Sequence, residues 1–136
     1  MTFEEINIGD KAEITKIISD EMVRSFATLS EDHNPVHLDE TYAEKTVFKG
    51  RVAHGILVTG LISAVLGNKL PGEGAIYTSQ AVQFLRPVRI DDEITAIVEV
   101  VDKDDKKKAV TLRTTCVNQA GKKVIDGEAV VLAPKD

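Results

Sequence analysis

The sequence predicts an α+β domain in which helices cover one face of an antiparallel sheet. Apolar residues in the first half recur with a helical period, whereas residues 76–132 alternate as four strands joined by short turns. Helices followed by serial strands are typical of this class. The segment 55–68 between the two halves is apolar nearly all round, and such a helix needs cover on several sides. We therefore expect a curved sheet folded around one central helix.

The first half is predicted to hold a short strand and two helical regions before the apolar helix. Residues 11–18 alternate loosely and form the first strand. Ser19 is a typical N-cap, and the acidic residues after it favour the first turn of a helix that runs through Ser30. After a polar turn, Asp39 is placed to cap a short helix that ends near residue 45.

The second half begins after a break at Pro71 and Gly72. Strands are predicted where apolar and β-branched residues alternate with polar ones, over residues 76–88, 94–101, 109–117 and 124–132. No repeat, low-complexity tract or linker interrupts the chain. Its length of 136 residues therefore predicts a single domain, residues 1–136.

Composition excludes several classes of function. The net charge of −5, without a basic cluster, argues against general nucleic-acid binding. Cys116 is the single cysteine, so an internal disulfide and a zinc site of several thiolates are excluded. The longest apolar stretch is too short for a membrane span, and residues 1–20 carry charges where a signal peptide would be apolar. We expect a cytoplasmic protein with no membrane partner.

The polar turn after the first helix carries most of the chemical signal. Asp32, Asn34 and His37 lie within six residues, on a backbone stiffened by Pro35. An acid and an imidazole held close together can exchange protons with water, and the amide can orient either group. The same residue types also form purely structural turns by bonding their own backbone, and both interpretations stay open. The spacing matches no standard metal motif, and a third ligand would have to be His54.

The start of the apolar helix is a second candidate site. The backbone N–H groups there are free to bind a developing oxyanion, and Gly55 lets a ligand approach closely. Alternatively Gly55 only permits tight packing, and His54 is interpreted as structural. Ser63, further along the helix, either bonds a carbonyl one turn earlier or reaches the acid–imidazole pair. Arg86 and Arg89 are candidates for binding phosphate.

These residues resemble those of the R-specific enoyl-CoA hydratases, which belong to the MaoC-like (hydratase 2) group of hot-dog-fold proteins. The resemblance is carried by residues 26–37, FATLSEDHNPVH, and by Ala53, His54 and Gly55, and it extends over nearly the whole chain. It implies a single hot-dog unit, an antiparallel sheet wrapped around a long central helix. The length fits the short members of the group, which look like the hydratase that feeds polyhydroxyalkanoate synthesis.

The resemblance implies reversible syn hydration of trans-2-enoyl-CoA to (3R)-hydroxyacyl-CoA. Asp32 and His37 would be the catalytic dyad that holds and activates water, supported by Asn34. The backbone N–H of Gly55 would bind the thioester carbonyl, and Ser63 would lie near the dyad. No metal or redox cofactor is implied, because coenzyme A arrives as part of the substrate. Which dyad member protonates C2 stays open.

Two other functions compete with this one. A hot-dog acyl-CoA thioesterase usually carries a carboxylate on its central helix, and segment 55–68 has none. A non-catalytic acyl-CoA-binding module would not need an intact dyad. The resemblance also implies a homodimer, or a larger assembly built from it, joined through exposed sheet edges. The acyl chain length and the pathway are left open: polyester supply, fatty-acid breakdown or a butyrate-type route.

Overall fold

The computed structural model describes residues 1–135 and contains one five-stranded antiparallel sheet, in the order β1-β3-β4-β5-β2. The predicted α+β class is therefore confirmed. The elements, in chain order, are β1 (Lys11–Ile17), α1 (Asp20–Ser30), α2 (Pro35–Leu38), α3 (Glu40–Ala43), α4 (Gly55–Asn68), β2 (Ile76–Phe84), β3 (Glu93–Asp104), β4 (Ala109–Val117) and β5 (Lys123–Leu132).

Helix α1 begins and ends as its sequence predicts. The Ser19 hydroxyl accepts a hydrogen bond from the Met22 N–H at 3.2 Å, which satisfies one of the free donors of the first turn. The helix ends at Glu31, whose φ of 66° is left-handed. This reversal directs the chain into the polar turn that follows.

Helix α4 packs one face against the sheet and leaves another uncovered. Its buried side chains are Val58, Leu61, Ile62, Val65 and Leu66, and they pack mainly against β3 and β4. Ile56, by contrast, is 60% exposed, and Gly60 and Ser63 are exposed as well. The expected sheet around a central helix is therefore present, and the single chain leaves one face of that helix uncovered. The sheet ends at β2, which leaves this face of α4 open.

Several boundaries differ from the sequence expectation. Strand β3, for example, runs to Asp104 rather than to residue 101, and proline explains two of the other differences. Strand β2 ends at Phe84 rather than at residue 88, because Pro87 has no N–H to donate to the ladder. The Val88 carbonyl instead accepts from the Ala53 N–H at 2.7 Å. The turn around Pro35 forms the one-turn helix α2, with proline at the first helical position, where its missing N–H costs nothing.

Among residues 1–135, no helix combines the length and the hydrophobicity needed to cross a bilayer.

Candidate active site

Local hydrogen bonds fix the turn between α1 and α2. An Asp32 carboxylate oxygen accepts from the Asn34 N–H at 3.2 Å, and the Asn34 side-chain oxygen accepts from the Val36 N–H at 3.2 Å. Asn34 is thereby the N-cap of α2. The structural interpretation of these two residues is thus realised, and it does not exclude the chemical one. The turn that they build carries His37 on the first turn of α2.

The tautomer of His37 follows from its partner. Its Nδ1 lies 2.7 Å from the Val52 carbonyl oxygen, which can only accept, so Nδ1 carries the proton. In the neutral ring the lone pair is therefore on Nε2. Arg51 Nε donates to the His37 backbone carbonyl at 2.7 Å. Arg51 and Val52 belong to the connector between α3 and α4, residues 44–54. This connector thus fixes both the backbone and the ring of His37, and it leaves Nε2 as a base.

Asp32, His37 and His54 form one cluster. A carboxylate oxygen of Asp32 and one nitrogen from each imidazole all lie within 4.8 Å of one another. A water molecule that makes two hydrogen bonds of ordinary length at a tetrahedral angle spans about 4.6 Å. This spacing allows the acid and the imidazole to share one water molecule. The rings of His37 and His54 stack with centroids 3.8 Å apart and an interplanar angle of 30°.

His54 is a buried, neutral histidine. It is 2% exposed, its Nε2–H donates to the Asp32 backbone carbonyl at 3.1 Å, and its Nδ1 has no hydrogen-bond partner among the described residues. Burial lowers the pKa of His54, and the neighbouring His37 lowers it further, whereas the bond to Asp32 opposes the shift. The neutral Nε2–H tautomer is therefore the form that the fold holds. Phe26 packs edge-on against the same ring, at 4.8 Å.

The same three residues are the candidate metal ligands of this region. Nitrogen ligands need a metal about 2.1 Å away in the plane of each ring. The two imidazoles stack face to face with an interplanar angle of 30°. The arrangement suits a shared water better than a cation, and the absence of a metal requirement stays a prediction.

A cavity of about 440 Å³ lies beside this cluster. Its polar lining includes Asn34, His37 and Arg86, and Gly55 lies at its wall. The rest of the lining is largely apolar and includes Val36, Phe48, Ile56, Phe84, Leu85 and Val124. A mostly apolar pocket of this size, with a few polar groups at one end, suits an acyl chain with a reactive head.

Gly55 is the first residue of α4, and the space above it is occupied by Phe84. The N–H groups of the first helical turn have no acceptor within the helix. A Cβ added to Gly55 would lie 2.5 Å from Phe84 Cε1, so any larger residue displaces that ring. Gly55 therefore combines tight packing against Phe84 with a backbone N–H that has no acceptor within the helix. The two interpretations of Gly55 are compatible.

The three remaining candidates, Ser63, Arg86 and Arg89, lie at different places relative to the cavity. Ser63 lines a separate groove with Tyr77 and residues 78–80, about 12 Å along α4 from Gly55, because eight residues of helix separate the two. Among the described residues no hydrogen bond joins Ser63 to Asp32 or His37, and its place near the dyad stays a prediction. Arg86 does line the cavity. Arg89 instead donates to the Gly50 carbonyl at 3.3 Å, so it holds the connector.

Arg51 is a site residue that the sequence does not single out. Its guanidinium lies 2.5 Å from an Asp20 carboxylate oxygen, and its side chain is only 13% exposed. Hydrogen bonds from Arg51 and, less strongly, from Arg24 lower the pKa of Asp20. Arg51 therefore ties the start of α1 to the backbone of His37. A pairing across 31 residues leaves no local pattern by which the sequence could reveal it.

Comparison with known proteins matches this chain to one family. The model of the MaoC-like domain matches residues 4–122. The chain is 54% identical to an (R)-specific enoyl-CoA hydratase of Rhodospirillum rubrum, over 97% of this chain and 91% of the relative. Its fold matches an R-hydratase of Pseudomonas aeruginosa with a TM-score of 0.94 and 45% identity, covering 99% of this chain and 86% of the other. An (R)-hydratase of Aeromonas caviae involved in PHA biosynthesis matches with a TM-score of 0.94 and 42% identity, covering 96% and 99%.

Proposed function

The chain belongs to the MaoC-like domain family, and from this premise we propose that it catalyses the reversible syn hydration of trans-2-enoyl-CoA to (3R)-hydroxyacyl-CoA. The hot-dog fold that the resemblance implies is confirmed by the match to the two R-hydratase structures. The observation that carries the reaction is the spacing of Asp32 and His37, whose side chains are placed to share one water molecule beside an apolar cavity.

The reaction begins with polarisation of the thioester. We place its carbonyl oxygen at the N–H of Gly55, where the first turn of α4 has donors without helical acceptors. Negative charge grows on that oxygen as water adds at C3. Fixed N–H dipoles and the positive end of the helix stabilise this charge most in the transition state.

Water is activated by the dyad. His37 Nε2, which carries the lone pair, takes a proton from the water while Asp32 orients it, and the remaining hydroxide oxygen bonds to C3. A proton is then returned to C2 from the dyad, and the carbonyl is restored. Syn addition, which the resemblance to the R-specific hydratases implies, requires that oxygen and proton reach the same face of the double bond. Two groups that lie within 4.8 Å of each other can deliver both. Asn34 supports the dyad by capping α2 beneath His37.

No metal or redox cofactor enters this chemistry, and coenzyme A arrives as part of the substrate. Its phosphates need a local basic contact, because the chain as a whole carries a net charge of −5. Arg86, at the cavity wall, is the stronger candidate. Arg89 is the weaker one, because its guanidinium already binds the Gly50 carbonyl.

The direct test is the loss of enoyl-thioester absorbance when the purified protein meets crotonyl-CoA. Asp32→Asn and His37→Gln should each lower the rate by about two to four orders of magnitude, as expected for general acid–base groups, with little effect on folding. His33→Gln is the matched control, because His33 is an exposed histidine of the same turn. Wild-type protein without hydration, or an unchanged Asp32→Asn rate, would refute the proposal. Release of free thiol from acyl-CoA would indicate a thioesterase instead.

We infer that the protein is a homodimer in which a second copy covers the open face of α4 and the edge strand β2. Exposed apolar side chains concentrate there, on Ile56, Ile76, Tyr77 and Phe84. Unpaired strand edges also favour pairing with another chain. Ser63 lies in the same groove, so it would face the partner. Light scattering at micromolar concentration should give twice the chain mass, and a monomer mass would contradict the inference.

We also infer a cytoplasmic location, supported by the lone buried thiol of Cys116, and a role in supplying polyester precursors. The Aeromonas caviae hydratase, which is involved in PHA biosynthesis, supports that route, and fatty-acid breakdown and a butyrate-type route are the alternatives. The hydration rate against acyl chain length, with an R-specific dehydrogenase to detect the product, tests both route and stereochemistry. Cell fractionation tests the location.

A further inference from the structure

The ring of Phe84 lies against the glycine that begins α4. A Cβ added to Gly55 would lie 2.5, 2.6 and 3.2 Å from three carbons of that ring, which are its nearest neighbours. Glycine is a poor helix former, and most other residues in its place would favour the helix more. The chain nevertheless has glycine at the one position where the ring takes up the space of a side chain.

The backbone that carries this ring is held by the neighbouring strand. Phe84 is the last residue of β2 and pairs with the buried Ile125 of β5. The next N–H, that of Leu85, donates to the Val124 carbonyl at 2.9 Å. The ring itself is 52% exposed and lines the cavity. It is therefore a wall of the cavity, fixed at the end of a strand, rather than a part of the core.

In the proposed reaction this wall stands beside the reacting carbons. The Gly55 nitrogen lies about 2.5 Å from the Cβ position of its own residue, so the edge of the Phe84 ring lies within about 5 Å of that nitrogen. The thioester oxygen binds the Gly55 N–H, and C3 points toward the water at His37. C2 is bonded to both the carbonyl carbon and C3. It therefore occupies the part of the cavity between Gly55 and His37.

We propose that Phe84 is a specificity-determining residue, whose ring restricts the site to thioesters that are unbranched at C2. This inference rests on the proposed function, because it places the thioester carbonyl at Gly55. A methyl group on C2 projects sideways next to the carbonyl, where the ring already fills the space over Gly55. A straight chain instead adds its carbons beyond C3, further from the ring.

Two saturated isomers give a direct test, because they differ only in where one methyl group is attached. Butyryl-CoA has a straight chain, and isobutyryl-CoA carries the methyl group on C2. Calorimetry measures both dissociation constants for the wild type and for Phe84→Ala. We expect the wild type to bind butyryl-CoA at least about tenfold more tightly, and this preference to fall to about threefold or less in Phe84→Ala.

Phe48→Ala is the matched control. Phe48 lines the same cavity, but the three atoms nearest to the Gly55 Cβ position all belong to Phe84. Phe48→Ala removes a ring of the same size and should keep the preference of the wild type.

Hydration gives a second measurement. The kcat/KM of trans-2-methylbut-2-enoyl-CoA relative to that of crotonyl-CoA should rise about tenfold in Phe84→Ala and stay unchanged in Phe48→Ala. The electronic effect of the methyl group is the same for every variant, so it cancels from this comparison. A ring that only stabilised the fold would change both rates alike.

Equal binding of the two isomers by the wild type overturns the proposal. An unchanged preference in Phe84→Ala, or an equal loss of preference in Phe84→Ala and Phe48→Ala, overturns it as well. If Phe84→Ala does not fold, Phe84→Leu decides by the same measurements, because it removes the ring and keeps an apolar side chain.

Failure of the proposed function is a separate result. Wild-type protein that hydrates no enoyl-CoA, yet prefers butyryl-CoA and loses this preference in Phe84→Ala, refutes the reaction and retains the role of the ring. Wild-type protein that hydrates crotonyl-CoA without any such preference retains the reaction and refutes the role of the ring. Protein that binds neither isomer refutes both.

Discussion

Arg51 and Arg24 both pair with Asp20, and replacing each by methionine tests what the Arg51 link to His37 contributes. Arg24 lies on α1 four residues after Asp20, is 54% exposed and, among residues 1–135, pairs only with that carboxylate. Arg51 is 13% exposed and also donates to the His37 carbonyl. Methionine keeps most of the aliphatic stem, so the substitutions remove the charge and the hydrogen bonds rather than the packing.

The structure predicts very different costs for the two changes. An exposed ion pair one helical turn apart contributes about 0.5 kcal/mol or less. An ion pair with one exposed partner, such as Arg51 with Asp20, adds at most about 1 kcal/mol, and a charge-assisted hydrogen bond to a partly buried carbonyl adds about 1.5–3 kcal/mol. We therefore expect Arg51→Met to lower the free energy of unfolding by about 2–3 kcal/mol, and Arg24→Met to leave it nearly unchanged.

Activity should follow the same order. His37 keeps its Nδ1 bond to Val52 in Arg51→Met, so its ring is loosened rather than released. We therefore expect Arg51→Met to lower kcat/KM about tenfold, which corresponds to a loss of about 1.4 kcal/mol of transition-state stabilisation, and Arg24→Met to leave kcat/KM nearly unchanged. Urea unfolding and crotonyl-CoA hydration measure the two effects. Equal destabilisation by the two methionine variants, or an Arg51→Met enzyme with wild-type stability and rate, would refute this account of Arg51.

Three further outcomes are expected. Gly55→Ala should lower kcat/KM at least about tenfold, because its Cβ displaces the Phe84 ring beside the N–H donor. The added change Phe84→Ala should restore part of the rate. A fully active Gly55→Ala enzyme would contradict the role of the Gly55 N–H in binding the thioester carbonyl. The free energy of unfolding should fall as the pH drops from about 7 to 5, because the lowered pKa of His54 means that the unfolded chain takes up a proton that the folded chain refuses. Urea unfolding across that pH range should show that the free energy of unfolding depends less on pH in His54→Phe than in the wild type. Equal pH dependence in the two proteins would contradict this role of His54. Burial raises the pKa of Cys116 to about 12, so a disulfide reagent should find no thiol in the native protein and one per chain in guanidinium; rapid native reaction would show that the site opens.

The parts of this protein that sequence patterns predicted are those set by neighbours in the chain. Ser19 caps its helix through a residue three positions away, and Asp32, Asn34 and His37 lie on one short turn, so their types and spacing carry the information. The Gly55 helix start is equally local. These are effects that a local pattern can encode.

The parts that were missed depend on contacts between distant segments. His54 stacks on a ring 17 residues earlier, and nothing beside it in the sequence shows that partner. Arg51 meets Asp20 across 31 residues. The open face of α4 around Ile56 reflects where the sheet ends, which the apolarity of the helix cannot reveal.

The short connector before α4 brings these distant contacts together, one per residue. Arg51 meets the His37 carbonyl, the Val52 carbonyl accepts from the His37 ring, Ala53 bonds to the strand side, His54 holds Asp32, and Gly55 supplies its N–H. Five consecutive residues, 51–55, thus each make one of the contacts that position the reaction centre. An insertion or deletion of one residue here would shift every contact to the wrong side chain at once. Transfer of this chemistry to another scaffold therefore requires all five residues, together with the turn that carries Asp32 and His37.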